Sequence, residues 1–189
     1  LTLDEFGMAE MLLSHLLPDF EDMGTLVERA YHGRFENERL SPLVRAGDAW
    51  VLELFRGPTS AFKDVALSML PQLITKAREQ LGITERIVIL TATSGDTGKA
   101  ALEGFHDVPG TGIAVFYPDG GVSAVQRAQM VTQRGGNVHV TAVRGNFDDC
   151  QRGVKEAFRD VDAAEYGMRL SSANSINIGR LAPQLIYYF

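Results

Sequence analysis

The spacing of apolar and polar residues changes several times along the chain, and each spacing predicts a different element. Leu1 to Leu17 has the pattern of an amphipathic helix, ended by Pro18, and Gly24 to Tyr31 suits a second, shorter helix. Residues 33–47 are polar and mixed, with Pro42 and Gly47 among them, and predict a loop. The apolar run Ala49 to Phe55 predicts a strand, broken by Gly57 and Pro58. Ser60 is then placed to cap a helix reaching Leu81, with Val65, Leu67, Met69, Leu70, Leu73 and Ile74 on its apolar positions. Pro71 should kink that helix, because proline removes a backbone donor and crowds the preceding turn. Gly82 suits the left-handed residue that follows a helix end.

From there the alternation is regular. Strands are predicted at Ile87–Leu90, Ile113–Tyr117 and Val138–Val143, with a short one at Arg169–Ser171. Helices are predicted from Thr97 to His106, Ser123 to Gln133, Phe147 to Asp160 and Ile178 to Phe189. Strand–helix alternation with short connections predicts an α/β fold, a parallel sheet with flanking helices and right-handed crossovers. The strands are rich in Val and Ile and nearly continuous in apolarity, as strands covered on both faces are. A boundary near residues 82–86 divides the expected organisation into an N-terminal helical segment, residues 1–84, and a three-layer α/β region, residues 85–189. Because the chain opens on Leu1 and stops at Phe189 inside an apolar stretch, it is expected to be a truncated piece of a longer protein.

Composition narrows the function classes. Hydrophobic residues make up 45% and charged residues 22%, so a packed core is expected rather than disorder. The net charge of −6 argues against nucleic-acid binding, which needs a basic face. One cysteine, Cys150, excludes an internal disulfide framework and a cysteine-built zinc site. His15, His32, His106 and His139 lack metal-ligand spacing, so no metal is expected. No apolar run approaches the about 18 residues that span a bilayer, and no leader-like pattern is visible, so the expectation is a cytoplasmic protein away from membranes. Trp50 and the phenylalanines are expected in the core.

Three stretches carry candidate chemistry. In GPTSAFKD, residues 57–64, Lys63 falls in the first turn of a predicted helix. The helix dipole and any burial both disfavour its charged form there, which suits a Schiff-base nucleophile. A solvated lysine beside Asp64 is the plainer alternative. TATSGDTGKAA, residues 91–101, follows a strand and opens a helix, at the sheet edge where ligands of α/β folds bind. Gly95 and Gly98 allow close backbone approach, and Ser94, Thr97 and free N–H groups offer donors to a carboxylate or phosphate. Asp96 is awkward for an anion site and can instead cap the helix. The Walker A pattern fails here, because it needs Gly at position 93 and Ser or Thr at 100, where this chain has Thr93 and Ala100. In SSANSINIGR, residues 171–180, Asn174, Ser175 and Asn177 form a polar cluster suited to a small polar ligand or to a capped turn.

Taken together, GPTSAFKD, ILTATSGDTG and NSIN, in that order and spacing, resemble the bacterial and fungal branch of the threonine synthase family. The resemblance runs from about Leu52 to Phe189. It implies a fold-type II pyridoxal-phosphate (PLP) enzyme with a tryptophan synthase β-like fold. Lys63 would be the lysine that bonds to PLP and the catalytic base, within the 1–84 region. Ser94, Gly95, Asp96 and Thr97 would lie over the cofactor and help hold the substrate carboxylate. Asn174, Ser175 and Asn177 would line the same cleft. The implied reaction converts O-phospho-L-homoserine and water into L-threonine and phosphate. A related PLP phospholyase that forms a keto acid, and a non-catalytic metabolite-binding module, remain as alternatives. Two departures from the family stand out. The later glycine-rich loop for the PLP phosphate lies outside these residues, so weak PLP binding and little activity are expected of this chain alone. Lys99 also stands where a small residue is expected.

Overall fold

The computed structural model describes residues 3–189. Helix α1, Glu5–Leu16, begins where Asp4 accepts a hydrogen bond from the Gly7 N–H at 2.7 Å, and Leu1 and Thr2 of the predicted helix lie outside the described residues. Helix α2 spans Met23–Tyr31.

The expected loop at 33–47 contains a strand. Strand β1, Leu43–Ala46, pairs antiparallel with β2, Ala49–Leu52, around a turn in which Gly47 has φ 62°. Both strands are largely exposed on both faces, so no alternation marks β1 in the sequence, and β2 stops short of the expected Phe55. Trp50 is 66% exposed on this hairpin, and Phe55, Phe62, Phe158 and Phe189 are also exposed, against the expectation of core positions.

Helix α3, Asp64–Leu81, runs unbroken through Pro71. Ser60 does not cap it; that residue has φ 56° and lies in the preceding loop. The Leu67 carbonyl, which Pro71 cannot bond, faces Gly104 of helix α4, Asp96–Phe105. A Cβ at position 104 would overlap that oxygen, so the proline and the glycine together let two helices approach closely.

The sheet bears out the predicted α/β class. Strands β3 (Arg86–Ala92), β4 (Thr111–Pro118), β5 (Val138–Val143) and β6 (Met168–Ser171) are all parallel, in the order β5-β4-β3-β6. Helices α5 (Ala124–Val131) and α6 (Phe147–Asp160) follow β4 and β5. The helix expected over 178–189 is a single turn, α7 (Ile178–Leu181), followed by a tighter 3-10 segment, Ala182–Tyr188. Pro183 has no N–H to continue the α pattern.

Two apolar clusters hold these parts. One gathers Leu13, Leu26, Tyr31, Met69, Leu73 and Ile186; the other gathers Leu67, Leu70, Ile89, Leu102, Phe105 and Ile113. Helix α3 feeds both from different faces. Each such side chain contributes about 1.5–3 kcal/mol when fully buried.

Candidate active site

The loop before α3 is organised by Asp64. Its buried carboxylate accepts from the Thr59 N–H at 2.8 Å, the Thr59 hydroxyl at 2.5 Å and the Ala61 N–H at 3.3 Å. Burial pushes its pKa up, and these hydrogen bonds oppose the shift. Asp64 therefore shapes the loop and does not pair with Lys63 at the surface. Lys63 sits immediately before α3, its side chain one-fifth exposed and its Nζ 4.3 Å from the Phe62 ring centroid. Burial lowers its pKa. Asp96, 3.8 Å away, opposes this, while the Arg180 and Lys99 charges add to the lowering.

The turn from β3 into α4 is held by a residue with no assigned role in the sequence reading. The Thr93 hydroxyl accepts from both the Gly95 and Gly98 N–H groups, each at 2.9 Å. Gly95, at φ 140°, lies against the Gln126 side chain, where a Cβ would overlap it. Gln126 donates to Asp96 at 2.9 Å and closes a capping box with Ser123 at the start of α5. Asp96 thus joins Gln126, Lys63 and, at 3.7 Å, Lys99. Its position at the start of α4 also favours a negative charge.

These elements meet at the carboxyl edge of the sheet around a cavity of about 260 Å³. Lys63 reaches it from the start of α3, Thr97 from α4, and Asn174 and Ser175 from the loop after β6. Arg180 of α7 closes one side and is 4% exposed. Among the described residues its guanidinium forms no ion pair; it donates to Gln184, which in turn donates to the Tyr187 hydroxyl at 2.8 Å. Burial lowers the Arg180 pKa. A buried, un-neutralised guanidinium is a strong receptor for an anion.

No protein-family model matches the chain. It is 46% identical to the threonine synthase of Pseudomonas aeruginosa over 169 residues, which cover 89% of this chain and 35% of that protein. The crystal structure of PLP-bound threonine synthase from Brucella melitensis superposes with a TM-score of 0.87 at 40% identity, covering 98% of this chain and 40% of that one. Over this span the chain resembles threonine synthases. The resemblance read from its three motifs is borne out, and so is the fold class. Human threonine synthase-like 1 is 38% identical over 177 residues, 88% of this chain and 23% of that protein. The chain therefore spans less than half the length of the threonine synthase relatives it matches.

Of the residues singled out in the sequence, Lys63, Thr97, Asn174 and Ser175 line one cavity. Asp96 reaches Lys63 from beside it, Gly95 is buried in the turn and Ser94 is exposed. Asn177 stands apart as a cap: it accepts from the Gly179 N–H at 3.0 Å and donates to the Ser172 carbonyl at 2.8 Å. The sequence reading passed over Arg180, Gln151 and Lys155, which also line the cavity. Phe147, Gln151 and Lys155 recur every four residues on α6, the spacing of one helix face, which was the available signal. Among the described residues no three His, Cys, Asp or Glu side chains gather as a metal site requires.

Proposed function

We propose that the protein is a PLP-dependent threonine synthase, converting O-phospho-L-homoserine and water into L-threonine and phosphate. The observation that carries this reading is the presence of Lys63 and Arg180 in one cavity at the sheet's carboxyl edge. The first is an amine whose burial favours its neutral, nucleophilic form; the second is a buried guanidinium that pairs with no carboxylate among the described residues. That donor set fits PLP together with a doubly charged phosphorylated substrate. An amine disposed toward its neutral form supports an enzyme over a module that merely binds a metabolite, which has no need of a nucleophile.

PLP, when bound, supplies an electron sink for carbanion chemistry. Lys63 would hold it and then act as the base and acid that moves protons at the α and β carbons of the substrate. Thr97 and the N–H groups at the start of α4 suit the substrate carboxylate. Arg180, with Asn174 and Ser175, suits its phosphate, which leaves from the γ carbon while water adds at the β carbon.

The test uses the full-length protein incubated with PLP, reduced with borohydride and mapped by peptide mass spectrometry, followed by product analysis with O-phospho-L-homoserine. A pyridoxyl adduct on Lys63 and threonine release are expected. Phosphate release with 2-oxobutyrate would replace this reading with a phospholyase. No adduct on Lys63 would overturn the PLP assignment altogether.

A further inference from the structure

Lys99 is a long cation in the first turn of α4, yet it is 9% exposed. A buried ammonium persists only where partners replace water. Lys99 has two, on different sides. Its Nζ donates to the Thr59 carbonyl at 2.9 Å and lies 3.7 Å from the Asp96 carboxylate. Thr59 is thereby held twice, by Lys99 through its carbonyl and by Asp64 through its N–H and hydroxyl. The tether spans 40 residues and joins the loop that delivers Lys63 to the helix that delivers Asp96 and Thr97.

The same carboxylate serves both lysines. Asp96 faces Lys63 through one oxygen at 3.8 Å and Lys99 through the other. A small residue at position 99 would leave Asp96, among the described residues, with Lys63 as its one cation beside the Gln126 amide, and the Thr59 carbonyl without this donor.

We propose that Lys99 is a positioning residue, which pins the Lys63 loop to α4 and shares Asp96 so that Lys63 is not locked in a full ion pair. This inference rests on Lys63 being the reactive amine. The charged groups around Lys63 are Asp96 and Lys99 from α4, Arg180 from α7 and Lys155 from α6, with Asp64 turned toward Thr59 on its own helix. Of the three cations, Lys99 is the one that engages the carboxylate facing Lys63. Removing its charge strengthens the remaining attraction and makes Lys63 more basic.

The experiment follows Lys63 reactivity in the full-length protein stripped of cofactor. The rate of its methylation by formaldehyde and cyanoborohydride is read by peptide mass spectrometry from about pH 6 to 10, across the lysine range. Wild type is compared with Lys99→Met, Lys99→Gln and Lys99→Arg. Met should move the Lys63 profile upward by about 0.5–1 pH unit, a three- to tenfold slower reaction at a fixed pH below the midpoint. Gln keeps a donor for Thr59 without the charge and should show the same upward shift, which tests the idea even if Met fails to fold. Arg should stay near wild type. Folded Met and Gln variants whose profiles coincide with wild type would overturn the proposal and leave Lys99 a packing element. The methylation needs no PLP, so a failed borohydride adduct would sink the cofactor reading without touching this result.

Discussion

At the scale of single residues, the site depends on how burial acts on two cations of opposite use. Lys63 has its pKa lowered in the folded protein, chiefly by burial. The folded state therefore binds fewer protons than the unfolded chain between that lowered value and the ordinary lysine range. Within that window stability should rise with pH, and Lys63→Met should flatten the slope, as read from denaturation midpoints across pH. Arg180 is the complementary case. Among the described residues it has no carboxylate partner to strand, so Arg180→Met should leave the melting temperature unchanged or slightly higher. The same change should raise KM for the phosphorylated substrate about 10- to 150-fold, the range for one lost hydrogen bond to a charged group. Lys63 was legible in the sequence because its motif places it locally, before a helix. Arg180 was not, because it reaches the cavity only when α7 packs on α3, a contact between residues far apart in the chain. The Asn177 cap is legible in the sequence as an Asn just before an apolar helix start, and the side chain accepts the Gly179 N–H as a cap does.

At the scale of elements, the close packing of α3 on α4 rests on two residues that each look unfavourable in a helix. Pro71 leaves the Leu67 carbonyl without its usual donor, and Gly104 leaves room for it. Gly104→Ala should therefore destabilise by about 1–3 kcal/mol, the cost of overpacking, although alanine is intrinsically the better helix former. Thermal or denaturant unfolding would show it, and a neutral or stabilising result would mean the helices can separate freely. The helices flanking the parallel sheet were legible because burial of one face imposes a period on them, and the central strands β3 and β4 because burial on both faces makes them continuously apolar. The β1–β2 hairpin was only half legible, since exposure on both faces removes the alternation that marks a strand. The last helix was overestimated because its apolar residues suggested continuity where Pro183 forces a tighter path.

At the scale of the whole molecule, α3 belongs to both apolar clusters, with Met69 and Leu73 in one and Leu67 and Leu70 in the other. The region read as N-terminal and the region read as the α/β sheet thus share a helix. Leu70→Ala should cost about 2–5 kcal/mol. Hydrogen exchange should then quicken in α2 as well as in β4; acceleration confined to β4 would show that the two clusters open independently. The sequence showed the apolar positions of α3 but not their partition, because one helical period cannot say which of two partners each face meets.

The exposed hairpin has a practical consequence for spectroscopy. Trp50 is the only tryptophan in the chain, and it stands in water on β2. Its fluorescence in the native protein should already be red-shifted, so melting either core would change the emission little. Far-ultraviolet dichroism, or a tryptophan introduced beside Phe105, would follow the fold that the natural fluorophore does not see.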